Sequence, residues 1–199
     1  EGAGPEYSMK NIIVISAPSG AGKTTLCSEL QRRKPHIKFS VSCTTRPKRE
    51  HEVDGVNYHF LSDQEFTEKV QNNEFVEYEN VHGYYYGTLR KTLEDALAQQ
   101  EMVLFDVDVN GAMAIKSNYS DNTCTIFILP PSLDDLKKRL IQRGSETEER
   151  IDKRLERTAQ EMEYKDKFDA CIINDDLAIA AEELNELITK QNEGVVYGS

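Results

Sequence analysis

Apolar runs of strand length recur along the chain: NIIVIS (11–16), MVLFDVD (102–108), CTIFIL (124–129) and ACIIN (170–174). Each is continuous rather than alternating, the pattern of a strand buried on both faces. Helical spacing fills the intervals. TTLCSELQRRK follows the first run, LRKTLEDALAQQ precedes the second and SLDDLKKRLIQRG follows the third. After the last comes LAIAAEELNELITK, with Leu177, Ala181, Leu184 and Leu187 or Ile188 on one face. Strand and helix in repeated succession predict an α/β fold, a parallel sheet with helices on both faces.

Two regions break that rhythm. Residues 42–90 are polar and turn-rich, with short β-like pieces such as VNYHFLS and FVEYENV, and read as a mixed insertion beside the core. Residues 134–157 are dense in arginine and glutamate around Gly144. They read as a helix, a glycine break and a second helix packed through Ile151, Leu155, Ala159 and Met162.

Composition narrows the class. A chain of 199 residues, 38% hydrophobic and 30% charged, suits one compact globular unit. No apolar run approaches the ~20 residues of a membrane helix, and no secretory signal opens the sequence. EGAGPEYS before Met9 reads as a tag remnant, with Met9 as the native start. The net charge of −11 argues against nucleic-acid binding, though it leaves room for a local basic pocket. Cys27, Cys43, Cys124 and Cys171 are far apart, as buried free thiols in a reducing cytosol would be.

The chemistry begins at SAPSGAGKT (16–24), at the end of the first apolar run. It matches the phosphate-cradling pattern G-x-x-x-x-G-K-[ST] except that Ala17 holds the first position. Glycines let backbone N–H groups converge on an anion, and the following helix presents its positive end. Lys23 would reach the β- and γ-phosphates, and the Thr24 hydroxyl would ligate Mg²⁺. Further along, Arg46, Arg49 and Tyr58 offer two guanidiniums and a phenol to a second phosphate. Asp106 and Asp108 end a buried strand, where α/β proteins bind ligands. Arg139 and Arg143 share a helix face by their spacing, as do Arg150 and Arg154. Glu77 taken alone reads as a rim carboxylate.

SAPSGAGKT, SVSCTTRPKRE, NEFVEYENVHGYYYGT, DVDVNG, RLIQRGSETEERIDKRL and INDD occur in an order that resembles guanylate kinase, over nearly all of 9–190. The resemblance implies ATP and GMP as substrates, Mg²⁺ with the ATP, and ADP and GDP as products. It implies a P-loop core (9–41, 98–133 and 158–190), a GMP-binding insertion (42–97) and a helical lid (134–157). Ser19, Gly20, Ala21, Gly22, Lys23, Thr24 and Thr25 match the ATP-phosphate loop, and Asn174 with Asp175 lies where the family contacts adenine. Arg46, Arg49, Tyr58 and Tyr86 match holders of the GMP phosphate. Ser42, Glu77, Thr88 and Asp106 or Asp108 match positions around guanine and the magnesium shell. Arg139, Arg143 and Arg154 match lid arginines that reach the transferring phosphate. Cys43 and Thr88 stand where the family commonly has serine, and Ala17 replaces a glycine.

Guanine offers an acceptor at O6 and donors at N1 and N2. Hydroxyls of Ser42 and Thr88 suit O6, and Glu77 suits N1–H and N2–H₂; adenine would leave the carboxylate without a donor. That chemistry argues against a kinase of another nucleotide. The intact lysine loop argues against a non-catalytic scaffold module, and the lack of an N-K-x-D motif against a regulatory GTPase. A cytoplasmic location is expected, and the oligomeric state stays open.

Overall fold

The computed structural model describes residues 10–18, 20–144 and 147–192. Ser19, two residues of the SETEE segment and the proposed tag remnant lie outside them. In chain order the elements are β1 (Ile12–Ser16), α1 (Lys23–Arg33), β2 (Lys38–Phe39), β3 (Cys43–Thr44), β4 (His59–Phe60), α2 (Asp63–Gln71), β5 (Phe75–Val81), β6 (Tyr84–Leu89) and α3 (Arg90–Gln99). There follow β7 (Val103–Asp106), α4 (Val109–Asn118), β8 (Thr123–Leu129), α5 (Leu133–Arg143), α6 (Glu148–Met162), β9 (Ala170–Ile173) and α7 (Leu177–Asn192).

A five-stranded sheet, in the order β2-β7-β1-β8-β9, has every neighbouring pair parallel. Its central strand β1 is apolar from Ile12 to Ile15 because it feeds two cores. Ile13 and Ile15 of β1 point to one side, where Leu26 and Leu30 of α1 and Leu184 and Ile188 of α7 cover them. Ile12 and Val14 point to the other, onto Leu93 of α3, Ile115 of α4 and Phe127. The period of two thus splits one unbroken apolar run between two helical layers. Each fully buried side chain of this kind contributes about 1.5–3 kcal/mol.

The edge strand β9 departs from expectation. Ile172 is buried, but Ile173 is 57% exposed and Cys171 also faces solvent. Cys171 and Ile173 alternate with Ile172 and so share the opposite face of the strand, where neither belongs to a buried cluster. The other three thiols are buried as expected, and burial pushes Cys27 and Cys124 up to about 12 and Cys43 up to about 11. Leu177 is likewise 38% exposed, because the packed stripe of α7 runs through Ala180, Ala181, Leu184 and Ile188.

A second, four-stranded sheet has the order β4-β3-β6-β5, with β3–β4 parallel and the other pairs antiparallel. Its cluster is small: Cys43, Phe66 of α2 and Phe75, with Phe66 and Phe75 stacked at 4.5 Å. Helix α2 was not anticipated, although Ser62 and Glu65 form a capping box at its start. A bulge at Val76 sets the direction of Glu77. Phe75 pairs with Leu89 but Glu77 pairs with Thr88, so Phe75 and Glu77 face opposite sides of the sheet. Helices α5 and α6 pack together through Leu136, Leu140 and Ile151, with Leu155 beside them.

Candidate active site

The C-terminal ends of β1 and β7 meet at the glycine loop, and the second sheet faces them across a cleft of about 370 Å³. The cleft is lined by Lys23, Thr24, Ser42, Tyr58, Glu77, Glu79, Val81, Tyr86, Gly87, Asp106, Val107 and Asp108. Residues from well-separated stretches of sequence therefore share one cavity.

On the core side, β1 ends in the loop and α1 begins at Lys23. Gly22 caps that helix in the left-handed conformation, with no side chain to occupy its open N–H groups and no acidic residue in the first turn. That leaves the positive end of α1 available to an anion. Ala17 is not among the residues with positive φ, so its methyl group sits without backbone strain. Lys23 Nζ pairs with the Asp106 carboxylate and donates to the Val107 carbonyl at 3.4 Å. Thr24 and Thr25 are exposed on the first turn.

Facing them, the bulge at Val76 turns Glu77 into the cleft, and the period of two carries Glu79 the same way. The Thr88 hydroxyl donates to Glu77 Oε1 at 2.5 Å, so its one proton is committed there rather than to guanine O6 as the sequence suggests. Burial raises the Glu77 carboxyl above its ordinary range, and the Thr88 bond works against that rise. Glu79 is pushed up to about 7, first by its hydrogen bond with Asp108 and then by burial. Asp108 also caps α4, accepting from Gly111 N at 2.8 Å.

Arg46 is held rather than free. Its two terminal nitrogens donate to Glu52 at 3.0 and 2.7 Å, and its guanidinium lies 5.5 Å from the centre of the Tyr58 ring. Tyr58 in turn meets Tyr86 edge-on at 5.9 Å. Glu52 also accepts from Arg49 N at 2.8 Å, and these bonds, that of Arg46 foremost, hold its carboxyl down at about 2. The Arg49 residue is exposed.

Like Arg46 and Arg49, the arginines of α5 and α6 are not among the residues that line the cleft. Arg139 is half-buried on α5, 3.9 Å from Asp175. Arg143 is exposed at the end of α5, and Arg154 is half-buried on α6. Leu136 of α5 nevertheless abuts the loop, 2.8 Å from where a Cβ on Gly20 would stand. Arg157 of α6 lines an adjoining cavity with Ala17, Glu79 and Asp108. Asn174 is buried, and its carboxamide donates to Ala21 O at 2.9 Å.

Sequence reasoning does not single out Glu52 or Glu79, and it names Arg157 only as one arginine of the 136–158 segment without a role. Glu79 carried a usable signal, because it follows Glu77 by two in a strand and must share its face. Glu52 lies in an irregular loop, where spacing says nothing about direction.

A parallel sheet ending in a glycine–lysine loop at a helix start, with an acidic residue on the adjacent strand end, defines a P-loop kinase-type fold. Comparison with known proteins gives the family. A family model described as guanylate kinase matches residues 9–191. A guanylate kinase of Chlorobium luteolum is 48% identical, covering 90% of this chain and 94% of its own. One from Thermotoga maritima is 42% identical, covering 92% and 88%. The crystal structure of guanylate kinase from Anaplasma phagocytophilum superposes with a TM-score of 0.72 at 30% identity, covering 93% of this chain and 87% of that one. A gluconokinase from Sinorhizobium meliloti, at 14% identity and a TM-score of 0.52, covering 93% of this chain and 95% of that one, shares the fold alone. The chain belongs to the guanylate kinase family.

Proposed function

We propose that this protein transfers the γ-phosphoryl group of ATP to the phosphate of GMP, giving ADP and GDP. The observation that carries the reading is the single cleft in which Lys23 and Thr24 face Glu77, Ser42, Tyr58 and Tyr86. One wall suits a triphosphate, and the other suits a guanine base and a single phosphate.

On the ATP side, the open N–H groups at the start of α1 and the Lys23 ammonium take the phosphates. In the free protein Lys23 is paired with Asp106, so its charge is already held at the mouth of the loop. Magnesium fits the donors present: the Thr24 hydroxyl and the Asp106 carboxylate, both hard oxygens bordering the same cavity. Bound by so few protein oxygens, such a cation keeps several waters and takes its other oxygens from the substrate phosphates. When bound, Mg²⁺ would supply charge neutralisation to the phosphate oxygens.

On the GMP side, Glu77 accepts from N1–H and N2–H₂, and Ser42 donates to O6. Thr88 orients Glu77 through its short hydrogen bond. Arg46, Arg49, Tyr58 and Tyr86 hold the phosphate. The acceptor is already an anion, so no strong base is needed; the task is to bring two polyanions together. Arg139, Arg143 and Arg154 on the α5–α6 pair complete the neutralisation when residues 134–157 close as a lid over the core (9–41, 98–133 and 158–190) and the GMP-binding insertion (42–97). Closure also excludes water, which would otherwise accept the phosphoryl group.

No helix among the described residues is long and apolar enough to cross a membrane. The proposed activity implies a cytoplasmic role in nucleotide metabolism, and the net charge of −11 argues against nucleic-acid partners. The test is ADP release from Mg–ATP with GMP, AMP, UMP or CMP as acceptor. Release that requires GMP supports the proposal; release independent of the acceptor, or greatest with AMP, overturns it.

A further inference from the structure

Asn174 follows β9, and its backbone N–H donates to Leu129 O at 2.8 Å, extending the β8–β9 ladder. The sheet therefore sets its position. From there the side chain crosses to the glycine loop, where Nδ2 donates to the Ala21 carbonyl at 2.9 Å in a contact that is 7% exposed at Asn174. The loop needs such a fastening. Gly20 and Gly22 both sit at φ 86°, a region they enter without penalty but also leave without penalty. The carboxamide is pressed against the second of them: a Cβ on Gly22 would stand 2.5 Å from Nδ2.

A trans peptide unit points its C=O and N–H in opposite directions. Holding the Ala21 carbonyl toward β9 therefore holds the Gly22 N–H away from β9. An anion-binding loop needs its N–H groups turned outward together, with the carbonyls behind them satisfied by protein. We propose that Asn174 is a positioning residue for the phosphate loop: its carboxamide locks the Ala21–Gly22 peptide against flipping, and so keeps the loop ready for the triphosphate. This rests on reading the loop as the ATP site, and it gives Asn174 a task different from contact with adenine.

The test uses the full chain with Asn174→Ala and with Asn174→Leu, which keeps the shape but has no donor. Binding of ATP, of tripolyphosphate and of GMP is measured by calorimetry, and amide exchange over residues 17–24 is followed in the free protein. Tripolyphosphate has no base or sugar, so it reports the loop alone. The expected result is a loss of about tenfold for both ATP and tripolyphosphate, GMP affinity unchanged, and faster exchange in the loop. Loss of ATP binding with tripolyphosphate unaffected would assign Asn174 to adenine and overturn the proposal. So would unchanged exchange, or GMP affinity falling in step, which would mark a general loss of structure. Failure of the unmodified protein to bind either triphosphate would instead sink the ATP reading, and the exchange measurement would still decide the role of Asn174.

Discussion

Glu77 and Thr88 stand directly opposite each other on β5 and β6, and the Thr88 hydroxyl spends its proton on Glu77 Oε1. The pair reads as one device. A buried carboxylate resists ionisation, and a donor beside it favours the charged form that guanine requires. In Glu77→Gln the amide presents a donor to one of the two guanine N–H groups. We expect kcat/KM for GMP to fall ~10³-fold while KM for ATP changes little. An acceptor panel checks this; unchanged discrimination between GMP and AMP would contradict the assignment.

Arg143 and Arg154 lie on α5 and α6, outside the lining of the cleft. If they act only after the lid closes, their loss should leave ground-state binding nearly intact. Arg143→Ala and Arg154→Ala are expected to lower kcat by ~10³-fold with a modest change in KM for ATP. Steady-state kinetics on each variant decides; ordinary turnover in both would remove the clamp.

Glu79 supplies a pH signature. Its hydrogen bond to Asp108 and its burial lift it from 4.5 to about 7, with Arg157 opposing the rise. Between those values the folded protein keeps a proton that the unfolded chain has released. The contribution of Glu79 to stability is thus complete below the unfolded value and is lost as the pH climbs through the folded one. Glu79→Gln keeps a neutral, hydrogen-bonding side chain throughout. Its melting temperature, measured against that of the unmodified protein, should gain ground from pH 5 to pH 7.5; a constant difference over that window would contradict the shift.

Phe66 holds the small sheet together, 2% exposed and stacked on Phe75 at 4.5 Å. Phe66→Ala is expected to cost about 3–5 kcal/mol of local stability. Because that cluster is separate from the two cores of the parallel sheet, GMP binding should weaken far more than ATP binding. Binding isotherms for both nucleotides check this, and equal losses would mean that the two parts unfold as one.

The central strands were legible because Ile12 to Ile15 are apolar without a break, which only a strand covered on both faces explains. The phosphate loop was legible because strand, glycines, lysine and helix occur in fixed order. Other features depend on contacts between distant residues. Nothing local in Phe75-Val76-Glu77 announces the bulge that turns Glu77 into the cleft; pairing with Leu89 and Thr88 produces it. The hold of Asn174 on Ala21 spans 153 positions. The clamp of Glu52 on Arg46 sits in an irregular loop with no periodicity to read. The two-residue β2 is too short to make a pattern, while α2 went unread despite the Ser62–Glu65 box before Phe66.

The central claim is that two nucleotides lie end to end in one cleft, between the Lys23 loop and Glu77. A ligand joining adenosine to guanosine through five phosphates measures it directly, because it spans both places at once and gains from linkage. Calorimetry should show it binding far more tightly than ATP or GMP, one molecule per chain, and excluding both. Affinity no better than that of ATP, with GMP still free to bind alongside, would contradict the account.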